Sequence, residues 1–343
     1  MRGLRKYLTP FAPDQSGAAS VLYELGGILV ICDAGGCTGN ICGFDEPRWH
    51  TVKSAVFSAG LRDMDAILGR DDKLVSELYD AAGKLDASFA AIIGTPVPSV
   101  IGTDYTALRR MSEKKTALPV LTVDTTGMEL YDRGAEKAYL ELFDRFAAES
   151  LPIEPGRVGV IGANPLDMSD IRASEKIKAL LPGAVCYGMG STLADVKTAS
   201  AAERNIVCAP SGLRAARLLQ KRFGTPYEII DPLAEALLPD KDFSGKRVLV
   251  IDQQVRADSM RQALLKRGAK SVVCATWFMQ LAELSREGDK RLLEEDDLED
   301  IVKNGEFDVL IGDPTQWRIV EKVYSGETVD IPQFPVSGKL VDA

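Results

Sequence analysis

Short apolar runs rich in valine and isoleucine recur along the chain, and each is followed by a turn and a stretch with helical periodicity. Continuous apolar runs are typical of parallel strands that helices cover on both faces. Eight runs are predicted as strands: residues 26–32 (GGILVIC), 90–95 (AAIIGT), 118–124, 157–162, 205–210, 246–252, 270–276 and 307–313. Five amphipathic stretches are predicted as helices: residues 73–85, 135–150, 169–181, 212–223 and 257–268. This alternation predicts an α/β protein built from βαβ units.

Two segments interrupt the alternation and indicate domain boundaries. Residues 151–157 (LPIEPGR) follow a long predicted helix and lead into a new strand, and residues 237–247 (LLPDKDFSGKR) do the same. Breaks that contain proline and glycine are typical of linkers. We therefore expect three Rossmann-like domains with mainly parallel sheets, comprising residues 1–150, 151–243 and 244–343. In such folds, ligands are expected beyond the carboxyl ends of the strands.

Composition and charge exclude several classes of partner. The chain has 343 residues, a net charge of −9 and a sequence pI near 5.0. Nucleic acids and anionic membranes are bound through basic patches, so neither is expected as a partner. No run approaches the roughly 20 apolar residues that a membrane span requires. Because residues 1–11 (MRGLRKYLTPF) have no pattern of a secretory signal, we expect a cytoplasmic protein.

The histidine and cysteine content narrows the candidate chemistry. His50 is the single histidine of the chain. Cys/His zinc sites, Ser-His-Asp triads and two-histidine iron sites are therefore largely unavailable, because each needs histidine. His50 itself is a candidate proton donor, and the alternative is an exposed or structural side chain. Six cysteines in a reducing compartment are not expected to form a disulfide framework. No Walker A sequence occurs, so no ATP site is expected in this chain.

Three of the six cysteines fall in residues 31–43 (ICDAGGCTGNICG). Cys32 ends an apolar strand, and glycines then present Cys37 and Cys42 on a turn. Thiolates on a glycine-rich turn suit an iron–sulfur cluster, because backbone amides can approach the cluster sulfurs closely. The C-x4-C-x4-C spacing is not a common ferredoxin spacing, and buried structural thiols are the alternative interpretation. A fourth ligand is missing locally, and Asp33, Asp14, a second copy of the chain or a different subunit could supply it.

Two further features have both a functional and a structural interpretation. Asp14, Asp33 and Asp45 flank the cysteines, but aspartates cap turns and helices as readily as they bind iron, and capping is the default expectation. Residues 162–170 (GANPLDMSD) follow a predicted strand and open a helix, so their amides could cradle an anion.

The cysteine segment is also the start of a resemblance that covers most of the chain. Residues 13–40 (PDQSGAASVLYELGGILVICDAGGCTGN) resemble the amino-terminal region of the nitrogenase component 1 superfamily, and Cys37 matches the cysteine of its glycine-proline-x-glycine-cysteine turn. The likeness continues in the same order through residues 56–74, 92–105, 205–230 (NIVCAPSGLRAARLLQKRFGTPYEII), 307–314 and 330–340. The resemblance implies an iron–sulfur cluster at a subunit interface, in a homo- or heterodimer with another component 1-like subunit.

Departures from the family pattern restrict the function that the resemblance implies. Two cysteines of the family are replaced here by Ala12-Pro13-Asp14 and Thr95-Pro96, while Cys32 and Cys42 are additional. We therefore expect a reorganised cluster, of a simple [4Fe-4S] type, on Cys37, Cys42 and Cys32. Cys208 matches the position that holds the catalytic metal cluster in nitrogenase, but no histidine follows His50, so dinitrogen is not the expected substrate.

Three functions follow as alternatives. The first is a reductase subunit that accepts electrons from an ATP-dependent iron protein resembling nitrogenase reductase and passes them to an unidentified substrate, with Cys208 and His50 as candidate catalytic residues. The second is a non-catalytic scaffold or carrier on which a metal cluster or tetrapyrrole is assembled. The third is a binding protein that shares only the fold, because a fold by itself implies no activity.

Overall fold

The computed structural model describes residues 5–336, apart from the side chains of residues 66 and 67. Its strands form three sheets, and all strand pairs within these sheets are parallel. Helices alternate with the strands along the chain. The predicted α/β class with parallel sheets is therefore confirmed. Among the described helices, none combines the length and the hydropathy that a bilayer span requires.

The first sheet has the strand order β2-β1-β3-β4. Its strands are β1 (Gly27–Ile31), β2 (Ala55–Ser58), β3 (Phe89–Ile93) and β4 (Val120–Val123). The helices of this part are α1 (Asp14–Leu22), α2 (Gly36–Asn40), α3 (Asp63–Leu68), α4 (Asp71–Ala82), α5 (Pro96–Ile101), α6 (Tyr105–Thr116) and α7 (Tyr131–Phe146), with a π-helical turn over Ile41–Asp45. Strands β1 and β3 are buried along their whole length, as parallel strands covered on both faces require.

The second sheet has the order β6-β5-β7-β8. Its strands are β5 (Glu154–Ile161), β6 (Ala184–Cys186), β7 (Ala202–Val207) and β8 (Tyr227–Ile229). The helices are α8 (Pro165–Met168), α9 (Ala173–Leu180), α10 (Leu193–Lys197), α11 (Leu213–Phe223) and α12 (Ala234–Leu237), with 3-10 turns over Ala199–Ala201 and Pro210–Gly212. Helix α11 ends at Gly224, whose φ of 79° suits glycine as a helix C-cap.

The third sheet has the order β11-β10-β9-β12-β13. Its strands are β9 (Arg247–Ile251), β10 (Ser271–Thr276), β11 (Lys290–Arg291), β12 (Val309–Gly312) and β13 (Glu327–Asp330). The helices are α13 (Gln254–Lys266), α14 (Glu295–Asn304) and α15 (Trp317–Val320), with a 3-10 turn over Pro314–Gln316. The domain boundaries near residues 150 and 243 stay predictions. Of residues 330–340, the last segment of the family resemblance, residues 337–340 lie outside the described part of the chain.

Helices α1 and α7 approach each other so closely that their backbones touch. A Cβ atom on Gly17 of α1 would lie 1.8 Å from the carbonyl oxygen of Tyr131, and one on Gly134 of α7 would lie 1.7 Å from that of Asp14. Only glycine permits this approach, because any side chain would displace the facing backbone. The contact fixes the first residues of the chain's first helix against the long helix that precedes the second sheet.

Candidate functional site

The cysteine turn, residues 32–45, leaves the carboxyl end of β1. Gly35 adopts a φ of 116°, a region that favours glycine, and α2 begins at the next residue. Asp33 orders the turn, because its Oδ2 accepts a hydrogen bond from the Thr38 amide at 2.7 Å and its Oδ1 accepts one from Thr38 Oγ1 at 2.9 Å. Ser58 Oγ of the neighbouring strand also donates to Asp33 Oδ1, at 2.6 Å. The turn is thus tied to β2 by a buried carboxylate.

The two other aspartates near the turn also serve polar groups of the chain. Asp45 Oδ2 accepts hydrogen bonds from Ser16 Oγ and Asn40 Nδ2, both at 2.7 Å. The carboxylate of Asp14 accepts from the backbone amides of Thr126, at 2.8 Å, and Gly127, at 2.7 Å. Capping, the default expectation for these aspartates, is confirmed for Asp33, which accepts from an amide of its own turn, whereas Asp14 binds amides of the distant loop at residues 126 and 127 and caps no helix. Asp45 instead binds side chains and holds the end of the cysteine turn against α1.

Cys37 and Cys42 are the two partly exposed thiols among the six. Cys37 lies on α2 and packs against the core that includes Leu29 and Ile31 of β1. Cys42 lies one turn further on, in the π-helical segment. Around them the chain leaves open space, since a Cβ atom built on any glycine of the turn would meet nothing within 4 Å: Gly35, Gly36, Gly39 and Gly43. The glycine positions therefore leave room beside the two cysteines for a bulky group or a second chain.

Cys32 occupies a different environment from the other two. Its side chain is 2% exposed and belongs to the core cluster that contains Ile28 and Val30, on the face of the sheet opposite to Leu29 and Ile31. Side chains alternate between the faces of a strand, so Cys32 follows Ile28 and Val30 away from Cys37. Its carbonyl accepts a 2.6 Å hydrogen bond from Thr95 Oγ1. The structure therefore does not bring Cys32 together with Cys37, and its contacts are those of a packed core thiol.

Burial and neighbouring carboxylates disfavour the thiolate form of all three cysteines. Burial raises the pKa of Cys42 to about 11, and the charges of Asp33 and Glu46 act in the same direction. The pKa of Cys37 is raised by burial and by Asp33 and Asp45. Burial raises the pKa of Cys32 to about 12. In the chain by itself the thiols are protonated at neutral pH, so a cation that binds them must displace protons.

A single chain does not assemble a full set of metal ligands around the turn. Within residues 5–336, no group of three or more histidine, cysteine, aspartate or glutamate side chains is placed so that it could hold a metal ion. The residues present fit an iron–sulfur cluster only in part, because two cysteines are partly exposed and the third is turned away. The described part of the chain thus holds an incomplete ligand set for such a cluster.

A buried arginine that was not among the predicted site residues anchors the segment that follows the turn. Arg48 donates to Glu46 Oε1 at 2.7 Å, to Glu24 Oε1 at 2.8 Å and to the carbonyl of Ser20 at 2.6 Å. The same guanidinium donates to the carbonyl of Gly188, beyond β6, at 3.1 Å. The only available signal was a carboxylate two residues before the arginine. Arg48 joins the cysteine turn to the loops of the second sheet.

The two candidate catalytic residues outside the turn, His50 and Cys208, differ from Cys37 and Cys42 in their exposure and surroundings. His50 is exposed, and the structure gives it no role in the turn. Cys208 is fully buried at the carboxyl end of β7, where its Sγ lies 3.4 Å from the carbonyl of Ile161. Burial raises its pKa well above the ordinary value for a thiol. As the chain stands, Cys208 is packed in the core that includes Ile206 and Leu233.

A buried polar cluster lies close to Cys208, at the carboxyl ends of β5 and β7. Asp167 accepts hydrogen bonds from Tyr131 Oη at 2.9 Å, from Asn164 Nδ2 at 2.5 Å and from Ser211 Oγ at 3.0 Å. Burial raises the pKa of Asp167 to about 7. The predicted anion cradle over residues 162–170 is wrong, because the amides of Leu166 and Asp167 donate to the Asn164 side chain and are not available to an anion.

Large apolar side chains are exposed along the same edge of the first sheet as the cysteine turn. The most exposed of them, called the apolar rim below, are Phe44, Met64, Leu68, Val100 and Met128. Phe44 lies on the turn itself, and the others lie on segments that follow β2, β3 and β4. Two of these segments, α3 and α5, contact each other. The carboxyl ends of parallel strands meet at one edge of a sheet. Exposed apolar groups gathered at one edge are typical of an interaction surface.

Comparison with known proteins agrees with this architecture. The family model described as "Nitrogenase component 1 type Oxidoreductase" matches residues 16–235. A Clostridium pasteurianum protein named "Nitrogenase iron-molybdenum cofactor biosynthesis protein NifE" is 24% identical over 180 residues, which is 50% of this chain and 38% of that protein. The aligned region is thus well under half of that relative's length.

Solved structures with the same fold cover nearly the whole chain. The structure described as "Nitrogenase Cp1 at pH 6.5" has a TM-score of 0.73 and 14% sequence identity, and the match covers 99% of this chain and 88% of the other. For "Nitrogenase Cp1 at pH 5" the TM-score is 0.69 and the identity 16%, with 99% and 86% covered. At such identities the likeness shows the fold alone.

Proposed function

The chain belongs to the nitrogenase component 1 type oxidoreductase family, and from that premise we propose that it is a redox subunit whose Cys37 and Cys42 bind a [4Fe-4S] cluster at a contact with a second copy of itself. It would accept electrons from an ATP-dependent iron protein and pass them to a substrate other than dinitrogen. The observation that carries the proposal is the pair of partly exposed thiols over an open glycine turn.

The number of thiols supports completion of the site by a second copy. One chain offers two accessible cysteines, whereas a [4Fe-4S] cluster is held by four. A two-fold axis through the site would place Cys37 and Cys42 of each copy around one cluster, because a two-fold contact joins the same patch of both chains. Cys32 would not be a ligand in this arrangement, since it packs in the opposite core.

The apolar rim supports the same partner. Phe44 is two residues from Cys42 and 45% exposed, and Val100 and Met128 are 82% and 80% exposed. Exposure of several such side chains beside an incomplete ligand set is explained if another chain covers both. A contact between two copies would bury the rim and bring the second pair of thiols to the cluster in one step.

The chain's own residues determine how a cluster would be loaded. A bound iron–sulfur cluster supplies one-electron redox chemistry, at a potential that burial and hydrogen bonds to its sulfurs set. Cys37 and Cys42 must each lose a proton to bind iron, and Asp33 raises the pKa of both thiols. Iron loading should therefore be more complete at pH 8.5 than at pH 6.5. Asp33 and Asp45 would meanwhile keep the turn in place through their bonds to Thr38 and Ser16.

Anaerobic iron and sulfide analysis of cysteine variants tests the ligand assignment. We expect Cys37→Ala and Cys42→Ala to lose most bound iron and the absorbance near 400 nm, whereas Cys32→Ala and the core control Cys274→Ala should keep both. Light scattering should give two chains per particle in the loaded protein. The proposal fails if Cys32→Ala loses iron as completely as Cys37→Ala, or if the loaded particle is a single chain.

The direction of electron flow needs its own experiment. The loaded protein would be mixed with a nitrogenase reductase-like iron protein, ATP and dithionite, and its spectrum followed anaerobically. We expect ATP-dependent reduction, with none when a non-hydrolysable ATP analogue replaces ATP. A protein that binds iron but is not reduced under these conditions would keep the ligand assignment and overturn the electron-accepting role.

Two observations favour a second candidate function. The relative from Clostridium pasteurianum is named for iron–molybdenum cofactor biosynthesis. In this chain, Cys208 is packed in the core rather than open to a substrate. We therefore also propose, as the alternative, a scaffold on which a metal cluster is assembled. Transfer of one cluster per dimer to an apo-acceptor, without repeated turnover, would distinguish the scaffold from the reductase.

A further inference from the structure

Two buried carboxylates belong to the cysteine turn, and neutral groups donate hydrogen bonds to both. Asp33, 2% exposed, accepts from the Thr38 amide, from Thr38 Oγ1 and from Ser58 Oγ. Asp45, 3% exposed, accepts from a serine hydroxyl and an asparagine amide. An ionised carboxylate only accepts hydrogen bonds, and donors of this kind leave its charge in place. The turn therefore carries negative charge next to its two partly exposed cysteines.

The charges of the turn act on the same cysteines that are proposed as ligands. Burial raises the pKa of Cys37, and the charges of Asp33 and Asp45 act in the same direction. After burial, the charge of Asp33 is also a cause of the raised pKa of Cys42. Glu46 lies near Cys42 as well, but it is paired with a buried arginine at 2.7 Å. Asp33 and Asp45 are thus the charges that a partner of the turn would meet.

Ion pairs engage two basic side chains beside α3, a segment of the apolar rim. Lys73 Nζ lies 2.8 Å from Asp65 Oδ2, and Arg70 Nε lies 3.6 Å from Asp72 Oδ1. Each of these cations is matched by an aspartate of its own chain. Neither of them brings an unmatched positive charge to the turn of a second copy.

A two-fold contact at the turn brings like charges together. If the cysteines of both copies surround one centre, Asp33 and Asp45 of both copies lie around that centre too, because the same patch of each chain takes part. Like charges repel, and the repulsion grows as water is excluded between them. Burial of the apolar rim between two copies is therefore opposed by the charge of the turn.

From these observations we infer that the contact between two copies depends on a bound metal, and that Asp33 and Asp45 keep metal-free chains apart. The inference rests on the proposed binding of one centre by Cys37 and Cys42 of both copies, and it adds a control of assembly to that function. Each thiol that binds the metal gives its proton to solvent. Metal–thiolate bonds, rather than added positive charge, hold the loaded pair together. Without those bonds the repulsion between the turns prevails.

Anaerobic sedimentation velocity of the full-length chain tests the dependence on metal. Iron-free chain should sediment as a single copy at micromolar concentration. Zn²⁺, which four thiolates bind tetrahedrally, should convert it to pairs with one Zn²⁺ per pair, whereas Mg²⁺, which prefers oxygen ligands, should leave it single. Cys42→Ala should abolish the effect of Zn²⁺, and Cys32→Ala should keep it.

The outcome separates this inference from the proposed function. If iron-free chain is already paired as tightly as the zinc-loaded chain, or if Zn²⁺ leaves it single, the dependence on metal is overturned. The ligand assignment is decided independently, by the iron content of the cysteine variants.

Removal of charge tests the part that the two aspartates play. Without metal, Asp33→Asn and, separately, Asp45→Asn should associate about tenfold more tightly than the wild type, because each change removes one charge from both copies. Asp240→Asn, which removes the same charge at an exposed position outside the turn, should associate as weakly as the wild type. Pairing by Zn²⁺ shows that a variant still has an intact turn. If both turn variants pair with Zn²⁺ but associate no more tightly than Asp240→Asn without it, the role given to Asp33 and Asp45 is wrong.

Discussion

The buried carboxyl of Asp167 should make the stability of this protein depend on pH in a way that one substitution removes. Burial raises the pKa of Asp167 to about 7 in the folded chain, whereas an aspartate in an unfolded chain has a pKa of about 3.9. The folded state therefore binds a proton more tightly than the unfolded state. The amide introduced by Asp167→Asn would resemble the protonated acid and carry no charge at any pH.

The sign and size of the effect follow from proton linkage. Because the pKa is raised in the folded state, the contribution to stability is fully present below pH 3.9 and is lost as the pH rises towards 7. Three pKa units correspond to about 4 kcal/mol in total, of which about 2.5 kcal/mol falls between pH 5 and pH 8. Between pH 5 and pH 8, the free energy of unfolding should therefore fall by about 2.5 kcal/mol more in the wild type than in Asp167→Asn.

Asparagine keeps part of the hydrogen bonding of the site. Its oxygen can accept from Asn164 Nδ2 and Ser211 Oγ in place of Oδ2. The Tyr131 O–H, which donates to Oδ1 in the wild type, loses its acceptor, because an amide nitrogen can only donate. This loss is the same at every pH, so it shifts the stability of the variant without changing its pH dependence.

Urea unfolding at pH 5, 6, 7 and 8, followed by tryptophan fluorescence, measures the difference. Asp240→Asn, at an exposed position, is the matched control and should keep the wild-type pH dependence. If Asp167→Asn loses stability between pH 5 and pH 8 as steeply as the wild type, the Asp167 carboxyl is ionised throughout. The account of the buried cluster would then be refuted.

Three further predictions concern the turn and its anchors. Arg48→Met should lower the free energy of unfolding by about 3–5 kcal/mol in urea titrations, because it leaves buried Glu46 unpaired, and a loss no greater than that of exposed Arg110→Met would contradict this. Gly17→Ala should lower the melting temperature far more than Gly83→Ala, because a Cβ atom at Gly17 would clash with the Tyr131 carbonyl, whereas one at Gly83 would meet only ordinary contacts at 3.6 Å. Equal losses of melting temperature in calorimetry would argue against a backbone contact at Gly17. Iron-free native chain should react with Ellman's reagent at two thiols, and a third fast-reacting thiol would show that Cys32 is accessible.

The main strands could be predicted because their apolar runs are long. All eight predicted runs overlap a strand of the structure, and five of them contain the whole strand. The five strands that were missed, β2, β6, β8, β11 and β13, have two to four residues each and lie at the edges of their sheets. Strands such as Lys290–Arg291 are held by backbone bonds to a neighbour and need no apolar run, so no hydrophobic pattern indicates them.

The candidate site shows a similar limit. The spacing of three cysteines indicated the cysteine turn, and the buried positions of Cys186 and Cys274 fit their apolar strand contexts. The orientation of Cys32 could have been read from the alternation of Ile28, Val30 and Cys32 along one face of β1. The arrangement around Asp167 could not, because Tyr131 and Ser211 come from segments that only the tertiary fold brings to Asp167 and its near neighbour Asn164.

The glycine contact between α1 and α7 has a consequence for the whole molecule. Ser16, next to Gly17, holds Asp45 of the cysteine turn, and Tyr131, whose carbonyl faces Gly17, holds Asp167 through its hydroxyl. One joint without side chains therefore sets the distance between the proposed electron entry and the buried acid. A shift of a few tenths of an ångström at this joint would displace both the cysteine turn and the Asp167 cluster. Gly17 and Gly134 therefore fix the relative positions of two centres that share no direct contact.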